Sequence, residues 1–169
     1  FVLLPMMSIS LAATTFTGQN LGAGKVERIR KGTNTALLLS MGTSLLCMIP
    51  VMIFAGPLVG MFNQEPNVIS YGILLIRTML PFYLFACVNQ IYAGVLRGLG
   101  DSKVPMYIML GSFVLFRQIY LYTATHLSGS IVVVALGYPI GWILCTILGI
   151  HYKKNWKKHV DLFLKNGMV

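Results

Sequence analysis

The sequence predicts an all-α membrane protein with about five membrane-spanning helices. Three observations predict it. The 169 residues are 56% hydrophobic and only 10% charged, against roughly 25% charged in a soluble domain. The mean hydropathy is +0.76, and a chain of this length cannot hide such a surplus in a water-soluble core. The apolar residues come in runs of about 20, the length a helix needs to cross a bilayer. They do not alternate as barrel strands do. The same composition excludes intrinsic disorder.

The runs follow in order. The first, residues 1–17, is apolar from Phe1, with no basic segment and no cleavage site ahead of it. It reads as a helix entered part-way, in a piece of something longer. The others cover 33–57, 68–96, 104–125 and 130–152. Pro5, Pro50, Pro81 and Pro139 fall inside runs, and each is a candidate kink or ordinary membrane-helix proline. Gly98 and Gly100 follow Arg97, where a helix stop wants glycine at positive φ. Asp101 or Ser102 then caps the next helix, with Pro105 in its first turn. Residues 153–169 form a basic tail. Trp156, Val160 and Phe163 repeat there at helical spacing, which predicts an amphipathic helix on the membrane surface.

The net charge is +9. In a soluble chain that would suggest nucleic acid; here the basic residues sit between apolar runs, so lipid headgroups of the bilayer are the expected partner and nucleic acid is not. Lys25, Arg28, Arg30 and Lys31 lie in the first connection, Arg97 and Lys103 in the third. Lys153, Lys154, Lys157, Lys158 and Lys165 lie in the tail. The alternate connections, 58–67 and 126–129, hold no Lys or Arg. The positive-inside rule therefore places the tail in the cytoplasm, in a multi-pass protein of the plasma or inner membrane.

Polar positions inside the runs are few. Tyr83, Ala86, Gln90, Ala93 and Arg97 share one helical face, with Asn89 beside it, opposite Leu84, Val88, Ile91 and Val95. Such a face either hydrogen-bonds a solute or glues helices together. Tyr83, Asn89 and Gln90 are the substrate-binding candidates. Arg77 and Arg117 lie about nine residues, roughly 14 Å, from the outer ends of their runs. Each is a gate, a partner for an acid, or a side chain snorkelling to the interface. Gly137, Gly141, Cys145 and Gly149 recur every four residues, a packing stripe. Glu27, Glu65, Asp101 and Asp161 all lie in connections or the tail, so no run holds the carboxylate that ion coupling usually needs.

Enzyme chemistry finds no support. Cys47, Cys87 and Cys145 are scattered, as are the three histidines, so no metal site, cofactor or catalytic constellation is expected. The stretch GQNLGAGKV departs from a phosphate loop, with Gln19 for the first glycine and Val26 for Ser/Thr.

Two loops carry a resemblance. Gly18-Gln19-Asn20-Leu21-Gly22-Ala23-Gly24-Lys25, with Glu27-Arg28, resembles a loop of the multidrug and toxic compound extrusion (MATE) family. Leu96-Arg97-Gly98-Leu99-Gly100-Asp101-Ser102-Lys103, with Pro105, looks like that family's other loop signature, and Pro81 matches its tenth helix. The resemblance marks Gly22, Gly24, Arg28, Arg97, Gly98, Gly100 and Asp101 as loop-motif residues; Arg77, Pro81 and Arg117 are gating or packing candidates from their positions within the apolar runs. It implies part of the C-terminal six-helix lobe of a twelve-helix antiporter. Such a protein exports small organic, often cationic molecules against H⁺ or Na⁺, the ion being bound mainly in the missing N-terminal lobe. The sodium-coupled branch has an acid near the position of Ala86, so a proton is the expected coupling ion. The alternative is a lipid-linked saccharide flippase of the same wider superfamily.

Overall fold

The computed structural model describes residues 2–127, 131–154 and 161. Among them every regular element is helical. In order they are α1 (Leu3–Gly22), α2 (Val26–Ile53), α3 (Ala55–Gly60) and α4 (Pro66–Met79). A 3₁₀ turn (Leu80–Phe82) leads into α5 (Tyr83–Gly98). Then come α6 (Lys103–Met109), a π-helical stretch (Leu110–Phe116), α7 (Arg117–Leu127), α8 (Ile131–Ala135) and α9 (Gly137–Lys154). Among the described residues, three helical stretches are long and apolar enough to cross a membrane: Val26–Ile53, Pro66–Gly98 and Lys103–Leu127. The first expected run lies on α1, whose last turn carries Gln19 and Asn20. The fifth lies on α8 and α9. Of the tail, residues 155–160 and 162–169 lie outside the described residues, and with them the expected surface helix.

Helix ends follow local chemistry. At the C-terminus of α1 the Lys25 N–H donates to the Asn20 carbonyl at 2.8 Å and the Gly24 N–H to Leu21 at 2.9 Å. Gly24 has φ +68°. This is a Schellman stop. The C-terminus of α5 repeats it: the Asp101 N–H reaches Leu96 at 3.0 Å, the Gly100 N–H reaches Arg97 at 3.0 Å, and Gly100 has φ +84°. Gly98 was expected to share that role. It lies instead inside α5 with an ordinary helical φ, because the left-handed position falls two residues later. Asp101 stands two residues ahead of α6, its Oδ1 accepting from the Val104 N–H in the first turn at 3.1 Å.

Pro81 sits in the 3₁₀ turn that interrupts the helix between α4 and α5. Its missing N–H is a physical reason for the break there. The π-helical stretch has no proline; Gly111 and Ser112 stand in it instead, a pairing found at helix distortions.

The elements pack around α5, which touches α1, α2, α6 and α9. One core cluster joins Ala13 of α1, Ile29 and Ala36 of α2, and Ile91, Val95 and Leu96 of α5. A second joins Met6, Ala86 and Cys87. Large apolar side chains cover the outside: Leu11, Leu38, Leu46 and Ile119 are each at least 65% exposed. That inversion suits a lipid environment and no aqueous one.

Candidate functional site

The α1–α5 contact sets the position of everything on α5. Gly94 and Gly98 form a G-x-x-x-G step facing Ser10, Thr14 and Thr17. A Cβ on Gly94 would lie 2.6 Å from the Ser10 carbonyl oxygen, and one on Gly98 would collide with that of Thr14. Only hydrogen fits, so the backbones meet directly. The approach lets the Ser10 hydroxyl donate to the Gln90 carbonyl at 2.7 Å and the Thr14 hydroxyl reach the Gly94 carbonyl at 3.0 Å. Arg97 folds back along α5, its Nε donating to the Ala93 carbonyl at 3.2 Å. The Ser10 and Thr14 bonds hold the helix pair from within, as hydrocarbon offers no competing water.

The face of α5 toward α9 holds two of the polar candidates, Asn89 and Tyr83. Asn89 is buried. Its Nδ2 donates to the Trp142 carbonyl at 3.0 Å, and its Oδ1 accepts from the Thr146 hydroxyl at 2.9 Å. Both ends of the amide are thus spent between helices. Tyr83, two turns earlier, sets its ring 5.0 Å from that of Trp142. Gln90 is half-buried, and its side-chain amide bonds to none of the described residues.

From Tyr83 a strip of rings crosses the molecule. Trp142 also meets Tyr138 at 6.2 Å, and the Arg117 guanidinium lies 3.7 Å above the Tyr138 ring. Arg117 is the first residue of α7, placed by the π-helical stretch before it. Its Nε is buried with no hydrogen-bond partner among the described residues. Two residues singled out in the sequence, Tyr83 and Arg117, are therefore joined through two that were not, Trp142 and Tyr138. Two aromatics four residues apart in the first turns of α9, Tyr138 and Trp142, were the available signal. The small-residue stripe on the same helix packs as expected: Gly137 faces Tyr120, and Gly141 faces Phe113.

The other candidates lie apart from the strip. Arg77 and Pro81 are exposed on the outside of α4 and its 3₁₀ turn. Gly22, Gly24, Arg28, Arg97, Gly98, Gly100 and Asp101 gather at the basic end. Two open grooves lie there. One, of about 230 Å³, runs between α2 and α5 past Arg30, Asn34 and Tyr92. The other, of about 490 Å³, runs between α1 and α2 past Phe16, Arg28, Lys31 and Leu39.

These features define a multi-pass helical membrane protein, with helices locked by small residues and an aromatic strip meeting a membrane-depth cation. A family model described as MatE matches residues 1–123, and the chain belongs to that family. It is 29% identical over 105 residues to "Probable multidrug resistance protein NorM" of Thermotoga maritima, covering 62% of this chain and 23% of that protein. It is 26% identical over 144 residues to "Multidrug resistance protein MdtK" of Pectobacterium atrosepticum, covering 85% and 31%. It is 24% identical over 149 residues to "Protein DETOXIFICATION 7" of Arabidopsis thaliana, covering 88% and 26%. The chain thus spans about a quarter to a third of the length of these relatives. No solved structure matches it.

Proposed function

We propose that the intact protein is a secondary active efflux antiporter that exports small organic, often cationic, compounds across the cell membrane. The observation that carries the reading is the match to relatives named for multidrug resistance, one of which covers 85% of this chain. The basic end faces the cytoplasm in this reading. Tyr83 and Gln90 contribute to the wall that solutes meet, while Asn89 ties α5 to α9. Export needs two lobes working against each other, so this chain supplies part of one.

The coupling ion in this reading is a proton. Ala86 stands where the family resemblance implies a carboxylate for sodium, and it is packed with Met6 and Cys87. A second reading, a lipid-linked saccharide flippase, draws on Arg117, a fixed positive charge at membrane depth.

The test uses the intact transporter in proteoliposomes loaded with ethidium. An imposed pH gradient in sodium-free buffer should drive ethidium movement above that of empty liposomes. A strict requirement for sodium would overturn the proton assignment. No movement of ethidium or other organic compounds under either gradient would overturn the export reading.

A further inference from the structure

We propose that the groove between α1 and α2 at the basic end holds one anionic phospholipid, with its phosphate on Arg28 and Lys31 and an acyl chain along the groove floor. The inference goes beyond the export reading and does not rest on it. It needs only that α1 and α2 cross a bilayer.

The groove changes character along its length. Its mouth carries Arg28 and Lys31, one turn apart on α2. Both are exposed, and neither has an ion-pair partner among the described residues. Deeper in, the walls are apolar and small: Ala12 and Ala13 line it from α1, Gly32 and Ala36 from α2. These side chains leave a trough of about 490 Å³, within the range of a small-molecule site. The Phe16 ring rests on Gly32, where a Cβ would collide with it. Thr35 also lines the trough, but its hydroxyl is taken by the Lys31 carbonyl at 3.1 Å. The floor therefore offers no free donor to a polar ligand and suits a hydrocarbon chain.

Length and charge select the occupant. From Arg28 to the lining residue Leu39 the helix rises about 16 Å, half of a hydrocarbon core of about 30 Å. The groove thus runs from a headgroup layer to the bilayer midplane, the span of one leaflet. Leu11 and Leu38, next in sequence to lining residues, are 70% and 72% exposed, as lipid-facing side chains are. A protein helix laid over the groove would bury both cations and need an acid to pair them. A phospholipid leaves them in the headgroup layer and brings the anion with it. The Arg28 fork matches two phosphate oxygens, and Lys31 adds a point charge. Anionic lipids give the cytoplasmic leaflet its negative surface potential, and the positive-inside rule assigns this end to that leaflet.

The experiment is native mass spectrometry of the purified intact protein in detergent, titrated with dioleoyl phosphatidylglycerol or dioleoyl phosphatidylcholine. The first phosphatidylglycerol should bind about thirtyfold more tightly than the first phosphatidylcholine, from about fivefold for each cation near an anionic headgroup. Arg28→Gln with Lys31→Gln should remove that preference. Lys25→Gln with Arg30→Gln takes the same charge from the same connection but leaves the groove intact, and should keep most of it. Ala12 is exposed, so Ala12→Trp fills the trough without entering the core. It should weaken both lipids, and it carries the test if the groove-mouth variant folds poorly. Equal affinity for the two lipids, equal loss in the two charge variants, or no effect of Ala12→Trp would overturn the proposal. Glycerol phosphate binding as tightly as phosphatidylglycerol would assign the cations to a soluble anion instead, and a wild type that binds neither lipid would leave the groove to the rest of the chain. Ethidium export is read separately: export with lipid-blind binding overturns this site alone, and selective lipid binding without export overturns the export reading alone.

Discussion

A methyl group on Gly98 would collide with the Thr14 carbonyl oxygen and lie 2.7 Å from the Thr17 Cβ. Both neighbours belong to a packed helix, so neither can yield cheaply. Gly100 is restricted for a different reason. Its φ of +84° is left-handed, and a side chain there is strained by about 1–2 kcal/mol. Gly22 has neither restriction: its φ is ordinary, and a methyl group there would meet nothing within 4 Å. The three positions should therefore rank. Gly98→Ala should lose the most, by about 1–3 kcal/mol from overpacking, and Gly100→Ala should lose less. Gly22→Ala should be neutral or slightly stabilising, because alanine favours helix. Thermal denaturation of the detergent-purified intact protein measures this order. A Gly98→Ala variant as stable as Gly22→Ala would mean that α1 and α5 are not in direct backbone contact. In sequence the turn glycines are legible because their constraint is local: a stop needs only the few residues around it. The role of Gly98 is not, since the same letter serves a turn or a close approach, and Thr14 lies far away in the chain.

At the scale of elements, what sequence leaves hidden is partnership. Asn89 is visible as a polar residue in an apolar run, but its partners Trp142 and Thr146 are more than fifty residues away. No periodicity within α5 encodes them. The distortion at Leu110–Phe116 is hidden too, because the usual marker, proline, is missing. A π-helical stretch accommodates one residue more than the α-helix it interrupts. Deleting Gly111, which has open space around it, should let the stretch relax to α-helix and leave Arg117 and α7 where they are. Deleting Val88 from α5 instead rotates everything beyond it by about 100°. That turns Gly94 and Gly98 away from α1. The expected result is near-normal membrane-inserted yield for the Gly111 deletion and severe loss for the Val88 deletion, read by fluorescence-detected size exclusion of the intact protein. Equal loss in both would argue that the π-helical geometry is required for folding.

At the scale of the whole molecule, orientation is a property of no single helix. It comes from the distribution of Lys and Arg over the connections, which concentrates charge at the end bearing the α1–α2 and α5–α6 turns and leaves the opposite connections without any. Moving such a set of charges across a bilayer is opposed during insertion, so the bias fixes topology. The two Schellman stops reinforce the arrangement by reversing the chain within a few residues, keeping Lys25, Arg28 and Lys103 near one plane. Ala23 and Phe62 report on the two ends; Ala23 is exposed in the basic turn, and Phe62 is 92% exposed beyond α3. In a variant of the intact protein without Cys47, Cys87 and Cys145, Phe62→Cys should react with a membrane-impermeant maleimide on whole cells. Ala23→Cys should react only after permeabilisation. The opposite pattern would place the basic end outside, and with it the groove past Arg30 and Asn34 that the export reading opens to the cytoplasm. Removing the charges tests cause as well as position. Neutralising Lys25, Arg28, Arg30 and Lys31 together should raise the fraction of Ala23→Cys that labels without permeabilisation, because the remaining basic residues then set the orientation alone.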